Sequence, residues 1–202
     1  FGGVNYFNPE YEIYTRYSYS SNEKKGLSNP VVGRTIEDKD GNLWIGTEGG
    51  GLNYYNRRTR EFKWYRPQEG RNSISHNNVK ALYYDADKEI IWIGTHLGGL
   101  NKLDIRSGHF THYRMEEGNP NTLPSDIIRD IIPYKSLLII ATQNGVCLFD
   151  PANGQCQQLF KDSKEGKSIK MVADVTFDSE GTLWIAATGE GVFSYRFDTC
   201  RL

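Results

Sequence analysis

The segment Leu43-Trp44-Ile45-Gly46-Thr47 returns as Ile91-Trp92-Ile93-Gly94-Thr95, as Leu138-Ile139-Ile140-Ala141-Thr142 and as Leu183-Trp184-Ile185-Ala186-Ala187-Thr188. Equivalent positions are 48, 47 and 45 residues apart, from Trp44 to Trp92, to Ile139 and to Trp184. A period of this length is too long for a leucine-rich or ankyrin unit and suits a four-stranded propeller blade. The chain is therefore read as an array of such units, and any fold assigned to it must repeat.

Each period contains four short strands. Strand A is apolar with polar interruptions, over 31–37, 79–85, 127–132 and 172–177. A polar turn follows, clearest as Asp38-Lys39-Asp40-Gly41-Asn42 and Asp178-Ser179-Glu180-Gly181-Thr182, where glycine supplies a positive φ. Strand B is the Trp-Ile-Gly-Thr phrase. A glycine-rich turn leads to strand C over 52–56, 100–104, 146–150 and 192–197, and strand D alternates aromatic and polar residues, as in Phe110-Thr111-His112-Tyr113. No apolar run at helical spacing competes, and 21 glycines with 13% aromatic residues are high for a helical domain.

The reading is an all-β chain, a β-propeller of four-stranded antiparallel blades with about four to five blades present. Residues 1–202 form one partial propeller. Strands C and D of a blade fall in 1–19, full blades in 27–66, 74–114 and 123–160, and strands A to C in 169–202. Both ends fall inside a repeat, so the chain reads as a piece of a larger propeller. Trp44, Trp92 and Trp184 are expected to pack between neighbouring blades, and Gly46 and Gly94 to sit where blades converge and backbones come close.

Composition limits the chemistry. Net charge is −1 and mean hydropathy is −0.60, which suits a hydrated domain with a distributed core and argues against nucleic acid, since phosphate binding needs a concentrated basic face. The lysine run 161–170 also holds Asp162 and Glu165 and reads as a solvated loop. Cys147 and Cys156 flank a hairpin and Cys200 is left over; three cysteines without paired spacing favour packed thiols over a cross-strand disulfide. The turn at Asp38 is not a calcium loop, because position twelve of an EF-hand would be Gly49. His76, His96, His109 and His112 complete no zinc site, and no nucleophile elbow or phosphate loop is present. No metal, cofactor or catalytic residue is assigned.

Alternating strands send the B-to-C turns and D-to-A loops to one face. There the repeats diverge: Glu48, His96, Gln143 and Glu190 differ between recurrent glycines and threonines, and the long loops contribute Asn29, Arg71, Asn78 and Asp126. Repetition marks scaffold and departure marks a candidate ligand site, so these eight residues are the expected recognition surface.

The units Gly26-Leu27-Ser28-Asn29-Pro30-Val31-Val32, Ile36-Glu37-Asp38-Lys39-Asp40-Gly41-Asn42-Leu43-Trp44-Ile45-Gly46-Thr47 and Gly50-Gly51-Leu52-Asn53 resemble the two-component regulator propeller repeat. The resemblance covers essentially the whole chain and weakens at Leu138-Ile139-Ile140-Ala141. It implies the periplasmic sensor region of a Bacteroidetes hybrid two-component system, an inner-membrane protein whose propellers are usually seven-bladed. It further implies an oligosaccharide ligand, control of glycan-utilisation genes, and histidine kinase and DNA-binding domains elsewhere in the same protein, which is expected to be a homodimer. The family motif residues are structural and bring no ligand residue to this chain. Two other readings stay open: a lyase-type propeller enzyme using His96 with Glu48 or Glu190 as acid and base, and a protein-binding scaffold. An open arc of blades would also expose apolar surface and promote self-association.

Overall fold

The computed structural model describes residues 3–8, 13–160 and 169–197. The lysine run over 161–168 and Cys200 lie outside the described residues. Seventeen strands lie among them, neighbouring strands of a sheet run antiparallel, and the sheets hold two, four, four, four and three strands. The chain divides into two compact units, Phe1–Thr95 with Asn101–Thr111, and His96–Leu100 with His112–Leu202.

In the first unit the hairpin β1 (Val4–Asn8) and β2 (Ile13–Tyr17) pairs Val4 with Tyr17. A sheet follows in sequence order: β3 (Val32–Glu37), β4 (Leu43–Thr47), β5 (Gly51–Asn56) and β6 (Glu61–Tyr65). The turn between β3 and β4 is built on one carboxylate. Asp38 Oδ1 accepts the N–H groups of Asp40 at 3.0 Å and Asn42 at 2.9 Å, and Oδ2 accepts the Trp44 indole N–H at 3.0 Å. The same residue thus closes the turn and sets the rotamer of the tryptophan six positions later.

The next sheet is β7 (Val79–Asp85), β8 (Ile90–Thr95), β9 (Leu100–Asp104) and β10 (Phe110–Tyr113), again in sequence order. Trp44 (2% exposed) and Leu52 (0%) from the first sheet share a core with Val79, Leu82, Ile91, Ile93 and Leu103 of the second. Gly46 is small for a reason seen here: a Cβ on it would lie 2.7 Å from Val79 Cγ1. Its side-chain hydrogen admits β7, as the sequence leads one to expect. Trp92 is 1% exposed, and β8 is buried along its whole length.

The second unit contains β11 (Ile128–Tyr134), β12 (Leu137–Thr142), β13 (Gly145–Phe149) and β14 (Cys156–Leu159), then β15 (Val172–Phe177), β16 (Leu183–Ala187) and β17 (Gly191–Tyr195). Ile139, Ala141 and Val146 pack with Val172, Val175, Leu183 and Ile185. The first strands β3, β7, β11 and β15 each carry a register shift near their start, a repeated bulge that periodicity alone did not announce.

Trp184 departs from the expectation. Its indole N–H bonds Asp178 Oδ2 at 2.8 Å, copying the Trp44 bond, yet the residue is 41% exposed. The position on β16 is equivalent, but burial of this site depends on a covering sheet, which the first sheet has in β7. Val192, equivalent to the fully buried Leu52, is 66% exposed for the same reason.

Candidate functional site

Backbone bonds tie the first three B-to-C turns to the loop preceding the following first strand. Gly49 and Gly51 N–H donate to the Asn77 carbonyl at 3.2 and 2.7 Å, and Glu48 forms an antiparallel bridge with Asn78. In the second unit Leu97 and Gly99 N–H donate to the Asp126 carbonyl at 3.2 and 2.9 Å, and His96 bridges Ile127. Strand alternation thus brings the two loop classes side by side within each unit. Gly51 permits the first of these turns, with φ +78° and a hypothetical Cβ 2.2 Å from the Tyr65 carbonyl oxygen.

In the first unit Asn29, Glu48 and Asn78 lie together. Asn29 Oδ1 accepts the Val31 N–H at 2.8 Å, a task His76 Nδ1 performs for Asn78 and Ser125 Oγ for Ile127 in later repeats. Asn29 is accordingly engaged in its own loop. Glu48 pairs with Lys80 on β7, a residue the sequence reading did not select because it sits inside a strand rather than a loop. Arg71 bonds Gln68 within its own loop, at 3.4 Å, and is not brought to Glu48 by any described bond.

In the second unit His96 and Asp126 lie together. The Asp126 carboxylate accepts the Met115 N–H at 2.8 Å and Arg114 Nη1 at 3.4 Å, and Arg114 also reaches the Leu97 carbonyl at 3.2 Å. His96 Nδ1 is buried without a hydrogen-bond partner. Gln143 joins through its backbone, donating to the Ile127 carbonyl at 3.0 Å and accepting from Met171 N–H at 2.7 Å. Glu190 is exposed, and its described bond is the turn's own, from its N–H to the Ala187 carbonyl.

Around Asp126 stand three residues that sequence reasoning missed: Leu97, Arg114 and Met115. Leu97 occupies the place of Gly49 and keeps its left-handed backbone, with φ +81° against +97° at the glycine. A leucine there costs of order 1–3 kcal/mol. It nevertheless points apolar surface at water, 56% exposed, beside Met115 at 44%. The signal was present in the repeat, since a bulky residue replaces glycine in an otherwise recurrent turn; attention to polar variation passed over it.

A cleft lies at the other end of the second unit's strands. It measures about 400 Å³ and is lined by Tyr134, Lys135, Phe177, Glu180, Arg196 and Phe197, with Tyr134 stacked on Phe197 at 4.3 Å and Phe177 at 5.4 Å between centroids. Its rings spend their faces largely on each other. Among the described residues no cluster of three or more His, Cys, Asp or Glu is placed to hold a metal ion, and no helix is long and apolar enough to cross a membrane.

The two component regulator propeller family model matches residues 26–49 and 73–96. Among solved structures, the extracellular domain of a hybrid two component system from B. thetaiotaomicron superposes with TM-score 0.76 and 25% identity, covering 86% of this chain and 24% of that one. The extracellular domain of a one component system from the same organism gives 0.74 and 24%, covering 97% and 29%. PorZ, a surface component of the type-IX secretion system of Porphyromonas gingivalis, gives 0.70 and 18%, covering 96% and 29%. The chain thus spans about a quarter of the length of the structures it resembles. No curated protein matches it in sequence. Residues 26–49 and 73–96 thus match the two component regulator propeller, and the chain has the β-propeller fold seen in the extracellular domains of these B. thetaiotaomicron proteins.

Proposed function

We propose that this chain is part of the periplasmic ligand-sensing propeller of a hybrid two-component receptor, and that it helps to recognise an oligosaccharide released from a glycan. The observation that carries the reading is Leu97, a leucine held at positive φ and exposed in a turn where the preceding repeat has glycine. A strained, solvent-facing apolar residue is costly in stability, and such strain concentrates where a ligand is met. Beside it Met115 adds a second apolar contact, while Arg114, with its guanidinium half-exposed, offers hydrogen-bond donors. Aliphatic surface flanked by donors and acceptors complements a sugar, whose C–H face is apolar and whose rim is hydroxyl. The Glu48, Lys80 and Asn78 group of the first unit supplies a second polar patch of the same loop class.

Occupancy would be passed to kinase, receiver and DNA-binding domains elsewhere in a homodimeric inner-membrane protein, switching on genes for use of that glycan. The resemblance to the extracellular domain of a B. thetaiotaomicron hybrid two component system supports the location and the receptor role. Calorimetric titration with a panel of glycan oligosaccharides tests the reading. Saturable binding without turnover is the expected result. Turnover would replace it by the lyase reading, and silence across the panel by the scaffold reading.

A further inference from the structure

The third complete repeat departs from the first two at two buried positions at once. Asn53 on β5 and Asn101 on β9 occupy equivalent positions of their third strands, where each exchanges two bonds with a serine: Asn53 Oδ1 accepts Ser28 N–H and Asn53 Nδ2 donates to Ser28 Oγ, both at 2.8 Å, and Asn101 does the same with Ser75, both at 2.8 Å. The equivalent asparagine position on β13 is Cys147, and the serine position, next to buried Leu123, is Pro124. The polar pair has been removed as a unit. On the fourth strand, the buried aromatic that opposes Tyr55 is Phe62, matched by Phe110 in the next repeat; the residue opposing Phe149 is Cys156. An amide and an aromatic ring have been exchanged for two thiols in the same repeat and in no other complete one.

The sheet brings these thiols together. In register Cys147 faces Gln158 and Cys156 faces Phe149, so the cysteines are diagonal neighbours two residues apart and share one face of the sheet. Both are buried, and their sulfurs lie 3.1 Å apart, inside the contact distance of two unbonded sulfurs and about 1 Å from a bonded separation. We infer that Cys147 and Cys156 are a disulfide pair, a cross-strand bond linking β13 to β14 in the protein under oxidising conditions. The inference draws on the extracytoplasmic reading only for the presence of such conditions, where disulfides persist.

In the reaction the thiolate of one cysteine attacks the disulfide of a thiol–disulfide oxidoreductase or of oxidised glutathione, displacing one donor thiolate. The second cysteine, losing its proton, then attacks the mixed disulfide and displaces the other. Two protons and two electrons leave the pair, one sulfur–sulfur bond forms in the protein, and the donor becomes two thiols. Burial, with the neighbouring Cys156, holds the Cys147 thiol well above its ordinary range, so the nucleophilic form is scarce once the sheet has closed. The bond therefore forms while β14 is still adding to β13, and in the folded protein it is a staple rather than a switch.

The test is refolding of the reduced, unfolded full chain in a glutathione redox buffer, followed by acid quench, alkylation in denaturant without reductant, and tryptic mass spectrometry. Lys135 and Lys161 bracket a tryptic peptide, 136–161, that holds both cysteines and no internal lysine or arginine. The expected product is this peptide two hydrogens lighter than its reduced form and unalkylated, with Cys200 alone alkylated. Two alkyl groups on that peptide, or either of its cysteines linked to Cys200, would overturn the assignment, and the same chain with Cys200→Ser must still give the light peptide. Because the buffer supplies the oxidant, the result is independent of where the protein resides; an error about location would show in fractionation and leave this measurement unchanged.

Discussion

At the scale of the residue, the tryptophans were legible and their environment was only partly so. A tryptophan recurring in one phrase had to be a packing residue, and Trp44 and Trp92 are buried. Replacing Trp92 by Ala is expected to cost about 3–5 kcal/mol in denaturant unfolding, through lost contacts and the cavity left behind. Exposure of Trp184 was not legible, because burial at that position is a property of the sheet packed against it and not of its own repeat. Nor was the bond from Asp178 to Trp184 legible, since turn chemistry explains the aspartate without reference to a ring six residues on. That bond has a measurable consequence. The Trp184 N–H first, and then the Thr182 backbone N–H, hold the Asp178 carboxyl below its ordinary value. A depressed folded-state pKa stabilises the protein above the unfolded value, about 3.9, and this contribution disappears as pH falls through the folded value. Asp178→Asn should therefore lose stability at neutral pH and converge with the parent only in acid below the depressed folded value, as read by thermal unfolding across pH.

At the scale of the element, strand order and turn positions followed from the repeat, because alternation and glycine-bearing turns are local. The bulges near the start of β3, β7, β11 and β15 were not visible, because a bulge is defined by its partner strand. Glycines that look alike in sequence differ here. Gly51 and Gly70 both have positive φ, but a Cβ on Gly51 would meet the Tyr65 carbonyl oxygen at 2.2 Å whereas one on Gly70 would meet nothing within 4 Å. Gly51→Ala is expected to destabilise by more than about 2 kcal/mol, since neither backbone can yield, and Gly70→Ala by about 1 kcal/mol, the conformational cost alone. Equal losses in chemical denaturation would show that the close approach is not what fixes this glycine. The polar candidates show the same division. Asn29 was selected for its place in a variable loop, yet its amide accepts Val31 N–H as His76 and Ser125 do in other repeats for their own loops.

At the scale of the whole molecule, β17 has no strand beyond it among the described residues, and Trp184 and Val192 present apolar surface on the same sheet. An unpaired edge beside an apolar face favours association. The chain by itself is expected to self-associate at micromolar concentration in sedimentation velocity, and a monodisperse monomer with cooperative unfolding would count against this. The proposed recognition surface was legible as two loop classes brought together by strand alternation, and only in part as residues: Glu48 bridges Asn78 and His96 bridges Ile127 beside Asp126, whereas Leu97, Arg114 and Met115 emerge from the folded loops. Leu97 separates a binding role from a structural one, because the two make opposite forecasts for Leu97→Gly. Removing a leucine from positive φ relieves of order 1 kcal/mol of strain, so the variant should melt no lower than the parent. Paired calorimetric titrations of parent and variant with the bound oligosaccharide are the most direct test. An affinity at least tenfold weaker at equal or higher melting temperature is the expected result, and an unchanged affinity would contradict the assignment of this face as the recognition surface.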